Sequence, residues 1–583
     1  ETFAKLRTYK CNLTSQSIII DTVELTTPYF DVPILGRLKD KTILELSDGE
    51  SSPQFSSYEK RLKIKDLREG VDYDGEFSLV GDEFIGSGSN EKPAKLIMKY
   101  NNMPLFEILS TNFQMDQKEI IIRKARIKML YSNGDSLTID DAFFYFDELN
   151  REISITAPNK ANIYSPFIDS YFKLYVYAPK LIWKLNTATP YYTYEVGTSQ
   201  EQKVASLQSI NYFDAKLFDK FKGVSGIHPF TIISMKCREI KSMTFTEASF
   251  ATMLKKTIEQ VLPEIVDMAA DGFLRYDSNL KLIFINPKLI NFSDASSGKI
   301  DYDNILISPD FRIIKNDESY FSDINDEVKS TILNEIAGTN FRKQKSSIYA
   351  SIHLDDNYLR INEVNQLVLS KAQKTIIYPD SSFIIMEKNR DIRFSGWLNA
   401  GKLEIHTSEA KFNYEDFKVK IIRSNEAFLR VKPLRKEDGS EDIQMQSSLS
   451  NLQGELYIDD PLVKSGKQSS NSKYPFLQTS SDCFVYYDSK DIEKGAYDRE
   501  RFYYRLGLFE MDSLDNFHEK SFNLSGELVS AGIFPNLSEK LGIMNDYSFG
   551  FITNTPNEGY DFYGSKTKYT NKIALSNNGL QGS

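Results

Sequence analysis

The sequence predicts a mainly β protein: extended, multi-module antiparallel or solenoid-like sheets with a small helical insertion near residues 246–270. Three observations predict it. Short apolar–polar alternations recur along most of the chain, as half-buried strands require. Phe and Tyr are abundant, 39 and 33 of 583 residues, and aromatic side chains suit a pleated surface. Gly and Pro are sparse, 29 and 19, so little of the chain reads as low-complexity linker. At about 150 residues per domain the length allows roughly four domains. The expected division is a β-rich module over 1–235, a mixed segment with helices over 236–345, and a second β-rich module over 346–583. The last is expected to be truncated, because strand-like Lys572–Ser576 and Gly579–Ser583 run to the end of the chain.

In the first module, Ile120–Ile122 leads to Ala125, Ile127 and Met129, which share one strand face. Ser132-Asn133-Gly134-Asp135 supplies a hairpin turn, its Asn-Gly pair suited to positive φ. Phe143–Phe146 and Glu152–Ile155 flank a second hairpin turn at Asp147–Asn150. Tyr171–Tyr177 is a further strand, ended by Pro179. Residues 244–273 then switch to helical spacing. Thr246 is the N-cap, and Phe250, Leu254, Ile258 and Val261 form the stripe. Pro263 is expected to start a second short helix, which Gly272 ends. Asp326–Ile336 is a weaker helix candidate. In the last module, Phe412 and Tyr414 share a face, and Phe417, Val419 and Ile421 share one after a phase shift that reads as a β-bulge. Loops are expected at Ser47–Ser57, from Glu437 to Ser440 onward, and at Lys464–Lys473.

A five-residue form recurs: apolar–x–Gly–Glu–apolar at Tyr73–Phe77, Leu452–Leu456 and Leu524–Leu528, with a near relative at Phe394–Leu398. Glycine inside a strand pattern marks a bend or a close backbone approach. The recurrence suggests similar β units.

Charge and motif arithmetic narrow the chemistry. The net charge of -10, from 71 basic and 81 acidic residues, gives no basic footprint for nucleic acid. No run approaches the 18 apolar residues of a membrane-spanning helix. Cys11, Cys237 and Cys483 are too scattered for a disulfide framework or zinc ribbon, and His228, His353, His406 and His518 form no HExxH pair. His406 falls on the polar face of a strand. His228 and Cys237 are the one Cys–His combination near in sequence. Gly86–Asn90 lacks the third glycine of a phosphate loop, and Gly223–Gly226 has the wrong spacing for a nucleophile elbow. Asp140-Asp141, Asp355-Asp356 and Asp459-Asp460 are acidic pairs beside turns, read as solvated charge. Asp72-Tyr73-Asp74-Gly75 and Asp323–Glu327 lack the full calcium-loop spacing. Tyr191–Tyr194 and Phe502–Tyr504 are aromatic clusters, read first as cross-strand packing and second as sugar platforms. No catalytic residue, metal ligand or cofactor-binding residue is assigned, and no cofactor is expected.

The phrases Ile377–Ser381, Phe394–Gly401, Ser530–Pro535, Asp546–Phe551 and Leu575–Gly582 resemble very long, uncharacterised, β-rich envelope proteins of Bacteroidota-type bacteria. The resemblance covers mainly the second half of the chain. It implies an exported, multi-module protein of the cell envelope, periplasmic or associated with the outer membrane, and carries no active-site residue across. It also implies that Asp21-Thr22-Val23, Asp135-Ser136-Leu137 and Asp512-Ser513-Leu514 match an O-glycosylation acceptor pattern of such bacteria. The leading expectation is a non-enzymatic structural or scaffolding segment. One alternative is a lipid-handling β-groove lined by Leu403, Phe412 and Tyr414. The other is a polysaccharide-binding or polysaccharide-degrading protein. Its partners are then other envelope proteins, lipid or glycan.

Overall fold

The computed structural model describes the chain apart from residues 42–52, 194–204, 310–347, 436–440, 468–472, 518–521 and positions 1, 11, 13, 28, 30, 31, 60, 82, 117, 161, 162, 224, 225, 278, 279 and 523. It forms two compact units, each drawing on separated stretches. The first takes Glu1–Leu207, Thr244–Asn286 and Ser346–Arg360; the second takes Gln208–Met243, Pro287–Lys345 and Ile361–Ser583. Both are mainly β. Helices among the described residues are α1 (Ala215–Lys220), α2 (Pro229–Ile240), α3 (Glu247–Met253), α4 (Ile258–Ala270) and α5 (Pro287–Ser296). None of the described helices is long and apolar enough to cross a membrane. The expected helix at Asp326–Ile336 and the loop at Glu437–Ser440 lie outside the described residues.

In the first unit, antiparallel pairing passes from Phe3–Lys5 through Ser17–Thr26, Ile34–Lys41, Gln54–Ser57 and Val71–Val80. It continues through Ala94–Tyr100, Met103–Ser110, Glu119–Leu130 and Ser136–Asp147. Glu152–Thr156, Lys180–Lys184 and Tyr191–Thr193 carry it to Ile348–His353. The long strands change their buried parity once. Ile120 and Ile122 are buried, then Ala125, Ile127 and Met129, with register shifts between the two sets. A bulge lets both halves of the strand face the core. Gln54–Ser57, expected within a loop, is one of these strands.

Both predicted hairpins form. In the first, Gly134 takes the positive φ (90°), while the Asn133 side chain accepts from the Asp135 amide at 3.1 Å, so only one residue of the pair is left-handed. In the second, Asp147 accepts from the amides of Leu149 (2.9 Å) and Asn150 (3.1 Å). The Tyr171–Tyr177 strand is shorter than its composition suggests, spanning Leu174–Tyr177. Asp169 accepts from the amides of Tyr171 and Phe172, both at 2.9 Å, and turns that stretch back on itself.

The helical insertion is capped as read, and then departs from the expected break. Thr246 caps α3 in a capping box with Ser249. The interruption falls at Leu254–Lys256 instead of at Pro263, because Thr257 and Gln260 make a second capping box that starts α4 upstream of the proline. Pro263 lies inside α4. Gly272 (φ 75°) donates to Ala269 O and Phe273 donates to Met268 O, a Schellman ending. Helix α1, within the stretch read as β-rich, and helix α2, which runs from that stretch into the segment read as mixed, were hidden by their short stripes. Pro229 is the first residue of α2, and the His228 ring caps it.

In the second unit, Thr375–Pro379, Ile392–Ala400, Leu403–Asn413 and Lys418–Val431 pair in order. The last strand serves two partners: Lys418–Ile421 meets Gly454–Tyr457, and Glu426–Ala427 meets Leu449–Ser450. The phase shift between Tyr414 and Phe417 is a hairpin turn, with Phe417 at φ 49°, because the chain reverses there. The bulges lie within the strands, between His406 and Ala410 and between Phe394 and Gly396. Lys572–Ser576 and Gly579–Gly582 form the expected terminal hairpin.

The recurring Gly–Glu form has a shared cause at two sites. A Cβ on Gly454 would lie 2.2 Å from the Gln478 carbonyl oxygen, and one on Gly526 would lie 2.3 Å from that of Arg505. Gly75 differs, being closed off by the Tyr73 hydroxyl. Gly396 differs again: its φ is 138°, and a Cβ would meet the Tyr378 carbonyl oxygen at 2.2 Å. Glu527 is partly covered and pairs with Arg505 at 3.0 Å.

Gly396→Val, from backbone strain and overlap with the facing strand, and Gly526→Val, from overlap alone, are each expected to cost about 1–3 kcal/mol. Glu527→Gln removes a partly exposed ion pair and is expected to cost under about 1 kcal/mol. Thermal melts of the three variants check the ordering.

Candidate functional site

The strongest concentration of buried polar chemistry lies in the second unit and centres on Asp303, which is 0% exposed. The chain brings three separated segments to it. Ser209 ends the short strand Ser206–Ser209, and Asp303 bridges to Tyr212 in parallel pairing. Arg390 closes the single turn Lys388–Arg390, and Tyr414 opens the turn after Leu403–Asn413. Asp303 Oδ2 accepts from Ser209 Oγ at 2.6 Å, from the Tyr414 hydroxyl at 2.8 Å and from Arg390 Nη1 at 3.3 Å. Its Oδ1 accepts from the Ile305 amide at 3.0 Å.

The neighbours complete one another. Ser209 Oγ also accepts from Arg390 Nη1 at 2.9 Å, and the Tyr414 hydroxyl accepts from Asn211 Nδ2 at 3.3 Å. The guanidinium lies over the Tyr414 ring, 3.5 Å from its centroid. Arg390 Nε finds no partner among the described residues. Asn389 and Arg390 are both left-handed, with φ of 56° and 69°. For non-glycine residues that conformation is strained, and it persists here because the ion pair and the ring stack hold it. Burial pushes the Asp303 carboxyl above its ordinary range, opposed by Arg390.

A second polar layer adjoins it. Asp301 accepts from the backbone amides of Lys464 (2.5 Å) and Ser465 (3.2 Å). The Lys464 ammonium sits 5.1 Å from the centroid of the Tyr414 ring, and burial lowers its pKa. Asp459, read as solvated, is 1% exposed. Its Oδ2 accepts from Gln373 Nε2 at 2.6 Å and its Oδ1 from the Asp460 amide at 2.8 Å, so it orders a turn inside the protein. Chemically, the arrangement neutralises a buried carboxylate with one cation and fastens loops to strands.

The other sequence candidates are separate from this centre. Asp140 pairs with Arg126 at 2.8 Å and Asp141 with Arg275 at 2.5 Å. Asp355 and Asp356 lie in a turn, where the Tyr100 hydroxyl donates to Asp355 at 3.3 Å. Asp72 accepts from Lys99 at 2.7 Å and Asp74 from Arg61 at 2.5 Å, so both carboxylates of the calcium-like phrase are engaged by cations. Asp323–Glu327, Cys11 and His518 lie outside the described residues. Among those residues no group of three or more His, Cys, Asp or Glu could hold a metal ion.

His228 and Cys237 are not a pair. His228 Nδ1 accepts from the Phe230 amide at 3.1 Å, and its ring stacks on Phe218. Cys237 is nine residues on, about 13 Å along α2 at 1.5 Å per residue. Cys237 and Cys483 are buried, and burial pushes the Cys483 thiol up to about 12. His353 stacks on Tyr358. His406 is on the partly exposed face as expected, with Asp380 at 3.0 Å, Asn425 at 3.1 Å and Trp397 stacked against it at 4.8 Å.

Gly86 and Ser87 end a strand, with no helix following directly. Tyr192, offered as a sugar platform, is 1% exposed and belongs to the core; Tyr503 is half-buried against Phe484. Leu403, Phe412 and Tyr414, offered as the lining of a furrow, are 0%, 0% and 5% exposed, and the Phe412 ring packs against Tyr414 and Phe417. They are core side chains because their strand faces inward there. Thr22 is exposed in a bulge at φ 64°, whereas Ser136 and Ser513 are half-buried. The sequence reading missed Asp303, Arg390 and Ser209 altogether. The only available signal was Asn389-Arg390-Asp391, a polar phrase between two strands.

No protein-family model matches the chain, and no curated protein matches it.

Asp303→Ala leaves Arg390 as an unpaired buried cation and is expected to cost about 3–5 kcal/mol. Arg390→Met added to Asp303→Ala is expected to recover part of that loss. Tyr414→Phe is expected to cost about 1.5–3 kcal/mol, chiefly the loss of its hydrogen bond to the Asp303 carboxylate, with that from Asn211 lost beside it. Urea unfolding of the four proteins gives the comparison.

Proposed function

We propose that this chain is a non-enzymatic structural or scaffolding segment of a large exported protein of the bacterial envelope. The observation that carries the reading is the Asp303 centre. Its hydrogen-bonding capacity is spent on Ser209, Arg390, Tyr414 and Ile305, chain segments of the same unit, and it acts as a fastening. The other reactive side chains support the same use. His228 caps a helix, Cys483 is buried with its thiol held protonated, and Asp459 orders a turn. The long antiparallel ladders supply the rigid framework a scaffold needs. The resemblance to β-rich envelope proteins supplies the compartment, and other envelope proteins are the partners of this reading.

Fractionation of the producing bacterium with an epitope-tagged full-length protein tests it. The expected result is recovery in the periplasmic or outer-membrane fraction, with raised detergent sensitivity when the segment is deleted. Recovery in the cytosol would overturn the localisation. Co-purified lipid in native mass spectra, or glycan binding lost on Tyr503→Ala, would replace the scaffold with one of the two ligand-binding alternatives.

A further inference from the structure

Helix α2 begins on a histidine. His228, extended at φ -62° and ψ 135°, is its N-cap, and the ring lies between the ends of two helices of the second unit. Nδ1 accepts from the Phe230 amide at 3.1 Å, in the first turn of α2. Nε2 lies 2.9 Å from the carbonyl oxygen of Phe218, in the last turn of α1. The ring stacks on that of Phe218, with centroids 3.7 Å apart, and meets the Phe230 ring edge-on at 5.0 Å.

These partners fix the proton. A nitrogen facing an N–H must be bare and a nitrogen facing a carbonyl must carry hydrogen, so the ring is the neutral Nε2–H tautomer. The caps of α1, α3 and α4, which are Asp214, Thr246 and Thr257, keep an accepting oxygen throughout the neutral and mildly acidic range. An imidazole does not, because its cation donates from both nitrogens. Protonation would set an Nδ1–H against the Phe230 N–H and a positive charge against the N-terminus of a helix of 12 residues. The bond to Phe218 is made by both forms and does not discriminate. The stack on Phe218 favours the cation; burial, the strongest influence on the ring, opposes it. The charged groups facing the ring are Asp219 of α1 and Lys222 just beyond it, both exposed and opposite in effect.

We propose that His228 is a proton-operated latch: its neutral ring bolts the last turn of α1 to the first turn of α2, and protonation on mild acidification removes the cap and loosens that junction. The unlatched ring, in water, takes up its proton near the ordinary histidine value of about 6.5, whereas the latched ring resists to lower pH. The unlatched state therefore binds more protons as pH falls. The latch is at full strength above about pH 6.5, weakens as pH falls below that, and stops weakening once the latched ring is itself protonated.

Hydrogen exchange by mass spectrometry on the full chain tests this, with peptides spanning 214–223 and 227–238 and correction for the intrinsic rate at each pH. A helix cap is worth about fivefold in the local opening equilibrium, so protection at the start of α2 is expected to fall about fivefold from pH 7.5 to pH 5. The first turn of α4, capped by Thr257, is the internal reference and should keep its protection. His228→Asn retains an accepting oxygen and should leave α2 equally protected at both pH values. Histidine-selective nitrogen-15 NMR, with the His228 signal assigned by its loss in His228→Asn, should show the Nε2–H tautomer at pH 7.5. An α2 whose protection does not fall, a fall shared equally by α4, the full fall retained in His228→Asn, or an Nδ1–H tautomer would each overturn the latch. Should His228→Asn fail to fold, the wild-type contrast between α2 and α4 still decides it.

Discussion

A β-strand has a side-chain period of two, so a long strand can keep only one parity buried unless its backbone slips. Everything else in this protein is arranged around that constraint. Glu119–Leu130 and Leu403–Asn413 each run past ten residues, and each changes buried parity at a register shift. The slip allows one strand to serve different partners at its two ends, as Lys418–Val431 does. Bent strands in turn set where backbones crowd, and so which positions have no room for a Cβ.

The two units solve the problem of a buried carboxylate differently. Asp303 has Arg390, a guanidinium stacked on Tyr414, and pays with two consecutive left-handed residues. Asp169 has backbone amides and a tyrosine hydroxyl. At both, burial pushes the carboxyl above its ordinary range, opposed at Asp303 by the Arg390 guanidinium and at Asp169 by the tyrosine hydroxyl and the two amides. In both cases the aspartate gathers turns onto strands.

The β architecture, both hairpin turns in the first unit, the α3 cap and the terminal hairpin were legible because each is written in local chemistry. Thr246, Gly134 and Asp147 act on residues within a few positions. What escaped was non-local. Asp303 reads as one more acidic residue until Ser209, Arg390 and Tyr414 converge on it from 87 to 111 positions away. Pro263 misled because a proline usually begins or ends a helix, and only the competing capping box at Thr257 shows otherwise. Asp459 misled because neighbouring charge says nothing about which side a turn presents to the core.

The last strand of the first ladder, Ile348–His353, joins Tyr191–Thr193 only after the chain has passed through most of the second unit's early segments and returned. Every earlier pairing in that ladder can form while the chain is still emerging. The closing pairing must wait until Ile348–His353 has been made, and bringing its two ends together carries a loop-closure entropy on the order of 4 kcal/mol for a separation of this size. Until then Tyr191–Thr193 presents unpaired backbone groups, the kind of edge that recruits a foreign strand. That edge therefore stays open for as long as it takes to make the chain from 194 to 353, the interval in which a foreign strand competes for it.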